Sequence, residues 1–332
     1  MPEDPIDNIN FDELARQAIS APLVNHIYTA DPSAHVFEGK IYIYPSHDIE
    51  AGIPFDDLGS HFAMEDYHVL SMEKPGAHVE DHGVALHVKD VLWADKQMWA
   101  PDAAHKDGKY YLFFPAKKAD GIFQIGVAIG DKPSGPFHPE PNPIEGTYSI
   151  DPAVFEDEDG SYYLYFGGIW GGQLQSYREN KYNIAHREPA EYAPALGPRI
   201  AKLSDDLVSL AEPVREILIV DEQGEPLRAG DNERRFFEAS WVHKYNGVYY
   251  FSYSTGDTHF ICYGIGDNPY GPFTYQGRIL NPVLGWTSHH SICEVEGEWY
   301  LFYHDSSLSK GVTHLRSIKV TKIDYLEDGS IV

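Results

Sequence analysis

Phe237-Glu238-Ala239-Ser240-Trp241-Val242-His243-Lys244-Tyr245-Asn246-Gly247-Val248-Tyr249-Tyr250-Phe251-Ser252 is the stretch whose reading decides the fold. It opens on a carboxylic acid between apolar neighbours, runs to an Asn-Gly pair and leaves as an aromatic-rich run. Asn-Gly supplies two successive positive φ angles, which a two-residue hairpin turn requires. Tyr and Phe after the turn suit a half-buried strand. The same layout stands at four other places: Ala30-Asp31-Pro32 through Gly39 to Ile41–Tyr44, Trp99-Ala100-Pro101-Asp102 through Gly108 to Tyr110–Phe113, Ile150-Asp151-Pro152 through Gly160 to Tyr162–Tyr165, and Ser288-His289-His290 through Gly297 to Trp299–Phe302.

A second element follows two of these hairpins. Ile129-Gly130-Asp131-Lys132-Pro133-Ser134-Gly135-Pro136-Phe137 and Ile265-Gly266-Asp267-Asn268-Pro269-Tyr270-Gly271-Pro272-Phe273 share one pattern, and Ala201–Leu207 is a weaker copy. It reads as a third strand, a Pro-Gly turn and the start of a fourth. Five such units predict an all-β, five-bladed β-propeller with four antiparallel strands per blade and the site in its axial funnel. Helix is expected only at Asn10–Ile19, inside an N-terminal extension over residues 1–21. Two long excursions, about 46–98 and about 168–235, read as loops that shape the channel mouth. The tail from Val312 to Val332 reads as strands completing the last blade. The expected organisation is therefore a single catalytic domain over 1–332 with no C-terminal β-sandwich.

Composition narrows the function. The 332 residues carry 51 Asp and Glu against 25 Lys and Arg, a net charge of −26. Nucleic acid and anionic membranes need a positive footprint, so both are excluded as partners. A small neutral oligosaccharide fits, and 23 Tyr, 16 Phe and 6 Trp offer faces for sugar rings as well as filling for an all-β core. Two cysteines, Cys262 and Cys293, build no disulfide framework. The acidic start lacks the features of a signal peptide, which predicts a cytoplasmic protein; a secreted form with its leader removed would read the same. No motif speaks to oligomeric state.

Equivalent positions of a propeller's blades stand at equal height around its axis. The residues that open the innermost strands are Asp31, Ala100 with Asp102 nearby, Asp151, Glu238 and His289. An Asp-Pro pair alone can be a strand start. That reading does not cover Glu238, nor the shared register of the three carboxyls. Carboxylates gathered in one funnel repel, so at least one is expected to hold a raised pKa. A neutral acid beside an ionised base is the equipment of glycoside cleavage.

Thr29-Ala30-Asp31-Pro32, Gln97–Asp102, Ser149-Ile150-Asp151-Pro152, Phe237-Glu238-Ala239-Ser240 and Ser288-His289-His290-Ser291 resemble the motifs of glycoside hydrolase family 43, over roughly residues 22–329. The resemblance is to its single-domain β-xylosidases with α-L-arabinofuranosidase activity. It implies Asp31 as general base, Glu238 as general acid and Asp151 as the residue that tunes and orients the acid. It also implies inversion, with a base-to-acid gap of roughly 6.5–9.5 Å for a water. Where the family often has Glu-Gly-Pro, this chain has Glu238-Ala239-Ser240, which alters the neighbour of the acid and not the acid. His289 matches an axial histidine near which a channel Ca2+ is expected; no organic cofactor is implied. Arg316 matches an arginine that reaches the pocket, and a buried Arg needs a carboxylate or ligand partner. Trp99 is a candidate sugar platform or a core residue, and Trp170, among glycines, a candidate wall. His47, His61, His68, His78 and His82 lack zinc-type spacing and read as surface residues.

The function expected is an exo-acting, inverting hydrolase that releases xylose or L-arabinose. An endo- or exo-α-1,5-L-arabinanase is the alternative within the class, and a non-catalytic sugar-binding propeller the alternative outside it. The absence of a Ser-x-Asp-x-Gly-x-x-Trp repeat speaks against a sialidase.

Overall fold

The computed structural model describes residues 20–332, so the helix expected at 10–19 lies outside the described residues. Five antiparallel sheets follow one another along the chain and form the blades of a β-propeller. Blade one is β1 (Tyr28–Phe37), β2 (Lys40–Asp48), β3 (Asp66–Met72) and β4 (Glu80–His87). Blade two is β5 (Asp102–Lys106), β6 (Lys109–Lys117), β7 (Phe123–Gly130) and β8 (His138–Pro139). Blade three starts with β9 (Ala153–Glu156) and β10 (Tyr162–Phe166). A hairpin of β11 (Tyr177–Arg178) and β12 (Lys181–Tyr182) intervenes before β13 (Arg199–Lys202) and β14 (Arg215–Glu216) complete it. A short β15 (Ile219–Val220) lies parallel to the edge of blade four, which is β16 (Glu238–Tyr245), β17 (Val248–Ser254), β18 (Ile261–Gly266) and β19 (Phe273–Leu280). Blade five is β20 (His290–Val295), β21 (Glu298–Asp305) and β22 (Ser317–Ile323).

The innermost strands β1, β5, β9, β16 and β20 each contact the next, and β20 contacts β1, which closes the ring. Four of the five inner hairpins turn on two residues with positive φ, such as Asn246 at 50° and Gly247 at 78°. This is the geometry expected of the Asn-Gly, Asp-Gly and Glu-Gly pairs. Blade three uses a longer turn, in which the Asp157 amide donates to the Ser161 carbonyl.

The repeated Pro-Gly turns have a structural task. Tyr44 on β2 donates its hydroxyl to Pro133 O at 2.7 Å, and Tyr165 on β10 donates to Pro269 O at 2.7 Å. Each fully buried tyrosine satisfies its polar tip on the turn of the following blade, as a buried hydroxyl must. Around them Phe113, Phe166, Phe251 and Phe273 are fully buried between sheets.

Three expectations change. The stretch 46–98 is interrupted by the outer strands β3 and β4, and 168–235 by β13 and β14, so neither is a single loop, although the segments around Asp57–Met64 and Ile169–Gly172 do line the pocket. These strands lack the Gly-Asp-x-Pro signature, and β4 alternates exposed and half-buried residues over Glu80–Val84. Blade five has three strands among the described residues, with β22 on its outer side. The Leu23 amide donates to Ile318 O there, and the Thr29 amide to Arg316 O, so the start of the described chain ties blade five to blade one. His61 is buried in the β2–β3 loop against Phe55, Phe62 and His314, and His47 and His68, on the paired strands of blade one, are largely buried. Among the described residues no helix is long and apolar enough to cross a membrane.

Candidate active site

The inner strands carry kinks where the carboxyls stand. The β1–β2 register slips between Ala30 and Ser33, and the β16–β17 register between Glu238 and Trp241. Asp31 sits at φ 49° in the first bulge and Ala239 at φ 64° in the second; Asp151, at φ 56°, precedes β9. Bulges re-aim side chains, here toward the axis. Left-handed backbone at non-glycine residues is costly and persists where surrounding contacts hold it.

Those contacts are visible. The Asp31 amide donates to His304 Nδ1 at 2.9 Å, and His304 Nε2 lies 2.8 Å from Thr287 O. A carbonyl only accepts, so His304 is the neutral Nε2–H tautomer. Arg316 grips Asp31 through Nη1 to Oδ1 at 2.9 Å and Nη2 to Oδ2 at 3.2 Å. The same guanidinium meets Asp48 through Nε and Nη2, both at 2.8 Å. Ser46 Oγ completes Asp31 Oδ2 at 2.7 Å. Asp151 Oδ2 accepts the Ala239 amide at 2.8 Å.

The three carboxyls are pulled apart in acidity. Burial alone would raise Asp31, but Arg316, His304, His289 and Ser46 outweigh it and hold the carboxyl at about 2. Burial pushes Asp151 well up, and the charge of Asp31 pushes it further. Burial, then Asp151 and Asp31, push Glu238 well up too. One carboxylate is therefore firmly ionised beside two that favour the protonated form, which is the division of labour an acid–base pair needs. Burial lowers His289 to about 4, so its imidazole is neutral. His289 Nδ1 stands 3.7 Å from Asp31 Oδ1 and 4.0 Å from Asp151 Oδ2, too far for a hydrogen bond to either.

These groups line one pocket with about 530 Å³ of empty space, counted out to its mouth. Asp31, Trp99, Asp151, Trp170, Glu238, His289 and Arg316 all reach it. Asp102 does not: it turns between blades to Ser33, to His35 Nε2 at 2.7 Å and to the Val154 amide at 2.5 Å. Blade two offers Trp99 and Ala100 in its place. Trp99 is both wall and core, with its indole N–H on Phe62 O at 2.8 Å and little surface left exposed.

Sequence reasoning missed several members. Trp286 and Thr287, from the β19–β20 loop, form part of the wall; the Trp286 ring lies 6.0 Å from Trp170 and 5.9 Å from Phe237. Phe62 and Met64 come from the β2–β3 loop. Asp48 and Ser46 were findable: they alternate on β2, two polar residues on one face of a buried strand, and the buried Arg316 called for such a partner. The loops also meet. A Cβ added to Gly171 would stand 2.7 Å from Leu58 O, and one on Gly59 2.9 Å from Trp99. Both glycines permit the loop contact that walls the pocket on that side.

The profile of glycosyl hydrolases family 43 matches residues 20–331. Xylosidase/arabinosidase 43A of Humicola insolens is 63% identical over 321 residues, 94% of this chain and 98% of that protein. A xylosidase/arabinosidase of Bacteroides ovatus is 59% identical over 93% of this chain and 96% of its own. Among solved structures, a β-xylosidase/α-arabinofuranosidase from a compost microbial metagenome, in complex with xylotriose and in a calcium-free form, superimposes with a TM-score of 0.94. It is 66% identical and covers 95% of this chain and 97% of its own. A Xanthomonas citri enzyme complexed with xylotriose gives 0.93 at 65% identity, over 97% and 95%. With the family profile spanning the blades that carry Asp31, Asp151 and Glu238, the chain belongs to glycosyl hydrolase family 43.

Proposed function

We propose that the chain is an exo-acting, inverting glycosidase that releases single xylose or L-arabinose units from xylo-oligosaccharides or arabinose-bearing hemicellulose. The observation that carries this reading is the walled pocket in which one carboxyl is held ionised and two favour their protons. Asp31 is the general base. Arg316 and Ser46 fix its plane, and its charge persists at any working pH. Glu238 is the general acid, kept protonated by burial and by its acidic neighbours. Asp151 sustains that pKa and, through the Ala239 amide, fixes the backbone beside Glu238.

The reaction is a single displacement. Asp31 takes a proton from water as the water oxygen bonds the anomeric carbon. Glu238 gives its proton to the glycosidic oxygen as the carbon–oxygen bond breaks. The electron pair of that bond leaves with the departing sugar, and the anomeric configuration inverts. A carboxylate at about 2 is a weak base, so Asp31 acts chiefly by orienting the water and by its charge on the developing oxocarbenium ion. Trp170 and Trp286 offer ring faces to the sugar, and the contact of the Leu58 and Gly171 backbones favours a pocket over an open groove.

His289 is the residue suited to a calcium ion in the funnel. Its neutral imidazole has a free nitrogen lone pair, and calcium would draw its remaining ligands from water oxygens. When bound, such an ion would offset the repulsion among the three carboxyls. The calcium-free form of the metagenome enzyme supports considering calcium at all.

An activity panel tests the proposal: nitrophenyl β-xyloside, nitrophenyl α-L-arabinofuranoside, xylotriose and debranched arabinan. Monosaccharide release from the first three is expected. Release from arabinan alone would replace this reading with the arabinanase.

A further inference from the structure

Ser46 and Asp48 face the funnel from β2, where they hold Asp31 and Arg316. His47, between them, faces the other way. There it joins a row of imidazoles and carboxylates that plays no part in the chemistry above. His47 Nδ1 lies 2.7 Å from Asp66 Oδ1, and His68 Nε2 lies 4.0 Å from the same oxygen. Behind His68, its Nδ1 lies 2.8 Å from Asp81 Oδ1. Asp81 is itself anchored, accepting the Gly83 amide at 2.8 Å and standing 2.8 Å from His26 Nε2.

The tautomer of His68 follows from its partner. A carboxylate only accepts, so Nδ1 carries the proton it gives to Asp81. In the neutral ring Nε2 is then a lone pair. It makes no hydrogen bond among the described residues, and it faces Asp66. An imidazole whose far nitrogen is held by a carboxylate while the near one points at a second ligand is the supporting arrangement of metal-bound histidines.

We propose that His47, Asp66 and His68 form a binding site for a divalent transition-metal ion of the zinc class, with water as the fourth ligand. The ligand atoms of the three residues all lie within 4.8 Å of one another. Zinc bonds of about 2.0–2.2 Å at tetrahedral angles separate neighbouring ligand atoms by roughly 3.3 Å. The observed 2.7 and 4.0 Å bracket that spacing and the remaining separation is within 4.8 Å, so closure needs shifts of about an ångström or less in each side chain. The side chains are 18%, 15% and 12% exposed, which admits an ion and its water without leaving the ligands loose. Two imidazoles and one carboxylate suit zinc or its neighbours and not calcium, which takes oxygen. The molecule's charge of −26 favours any cation. Binding requires His47 to give up the Nδ1 proton it shares with Asp66, to its own Nε2 if the ring is neutral and to solvent if it is cationic. The ion would pin β2 to β3 directly behind the residues that hold Asp31.

Titration of the untagged chain with Co2+, read by its visible d–d absorption, tests the site, with Zn2+ competition to establish class. A band with one equivalent bound is expected, displaced by Zn2+. Asp66→Asn and His68→Gln are expected to weaken binding at least 100-fold, and Asp81→Ala by about 10–100-fold, because it frees the His68 ring that Asp81 orients. His289→Ala is expected to keep the band, which separates this site from the funnel. Zn2+ is expected to raise the melting temperature of the parent chain and not that of Asp66→Asn; circular dichroism checks that each variant folds. The proposal is overturned if the parent chain shows no band, if the band survives both Asp66→Asn and His68→Gln, if Asp81→Ala leaves the affinity unchanged, or if the band disappears with His289→Ala.

Discussion

The backbone amide of Ala239 donates to Asp151 Oδ2 at 2.8 Å, so a carboxyl from blade three holds the residue that follows Glu238 in blade four. Asp151 thus reaches Glu238 in two ways, by the charge it would carry when ionised and through the backbone at φ 64°. Two substitutions separate them. Asp151→Asn keeps an oxygen for the Ala239 amide and removes a carboxyl whose ionisation opposes that of Glu238. Glu238 then loses its proton more readily, and the alkaline limb of kcat/KM is expected to move to lower pH. Asp151→Ala removes the anchor as well and is expected to lower kcat further, by on the order of 10-fold beyond Asp151→Asn on the scale of acid–base contributions. Equal kcat in the two variants would show that the anchor does nothing.

Glu238 as the acid makes a prediction about leaving groups. Glu238→Gln is expected to slow xylobiose hydrolysis by roughly 10²–10⁴-fold. Nitrophenyl xyloside is expected to lose far less, because nitrophenolate departs with little help from a proton. Parallel losses on both substrates would remove Glu238 from that role.

Raised acids also weigh on stability. A carboxyl whose folded pKa lies above its unfolded value binds more protons folded than unfolded, so stability falls as pH rises above the unfolded pKa. Glu238 is such a group, pushed up from 4.5 by burial and acidic neighbours. Each unit of that rise costs about 1.4 kcal/mol at neutral pH. Glu238→Gln is therefore expected to raise the melting temperature at pH 7 and to lose the advantage below about pH 4.5. Calorimetry at the two pH values decides it; a gain that persists unchanged at low pH would assign the effect to packing.

The inner half of each blade was legible because its signals are local. Asn246-Gly247 sets its own turn, and the run after it sets its own strand. Counting back from the turn glycines gives Asp31, Asp151 and Glu238 a common height from the sequence alone. The outer strands of blade one were not legible, because Glu80–Val84 faces water along much of its length and carries no turn motif. Trp286 was hidden for a different reason. It belongs to a loop whose place is set by Trp170, Phe237 and His259 from elsewhere in the chain, at ring distances of 4.9–6.0 Å. The pairing of His47 with Asp66 and His68 likewise exists only once β2 and β3 lie side by side.

Arg316 stands between Asp31 and Asp48, and its loss has a signed consequence for both rate and stability. With the guanidinium gone, burial acts on Asp31 with less to oppose it, and the carboxyl rises from about 2. Arg316→Met is expected to move the acid limb of kcat/KM to higher pH. It also leaves two buried carboxylates without their cation, at about 3–5 kcal/mol. In the parent chain a depressed Asp31 adds stability above pH 3.8 that disappears as the pH falls toward about 2. The variant is expected to lack that window in an acid-unfolding curve. Arg316→Lys keeps the charge without the fork and is expected to recover part of the stability but not the orientation of Asp31.

The stereochemical prediction is independent of pKa. If Asp31 activates water while Glu238 protonates the leaving oxygen, there is one displacement, and the first-formed xylose has the α configuration from a β-xyloside. Proton NMR within the first minutes, before mutarotation, reads it. First-formed β-xylose would require a glycosyl–enzyme intermediate on a carboxylate. Asp31 would then have to be the nucleophile in place of the base.

Calcium at His289 is tested by removal and return. Exhaustive chelation is expected to lower kcat/KM and the melting temperature, and Ca2+ is expected to restore both. An ion present at 100 times its Kd stabilises by about 2.7 kcal/mol, so the thermal effect is measurable but bounded. His289→Ala is expected to abolish the response to Ca2+, while Asp66→Asn, which touches only the blade-one site, is expected to keep it. That contrast matters because a chelator strips both sites at once. If rate and melting temperature are unchanged by chelation, the neutral imidazole of His289 serves the sugar or the water in the pocket, and the repulsion among Asp31, Asp151 and Glu238 is met by Arg316 and by their protons alone.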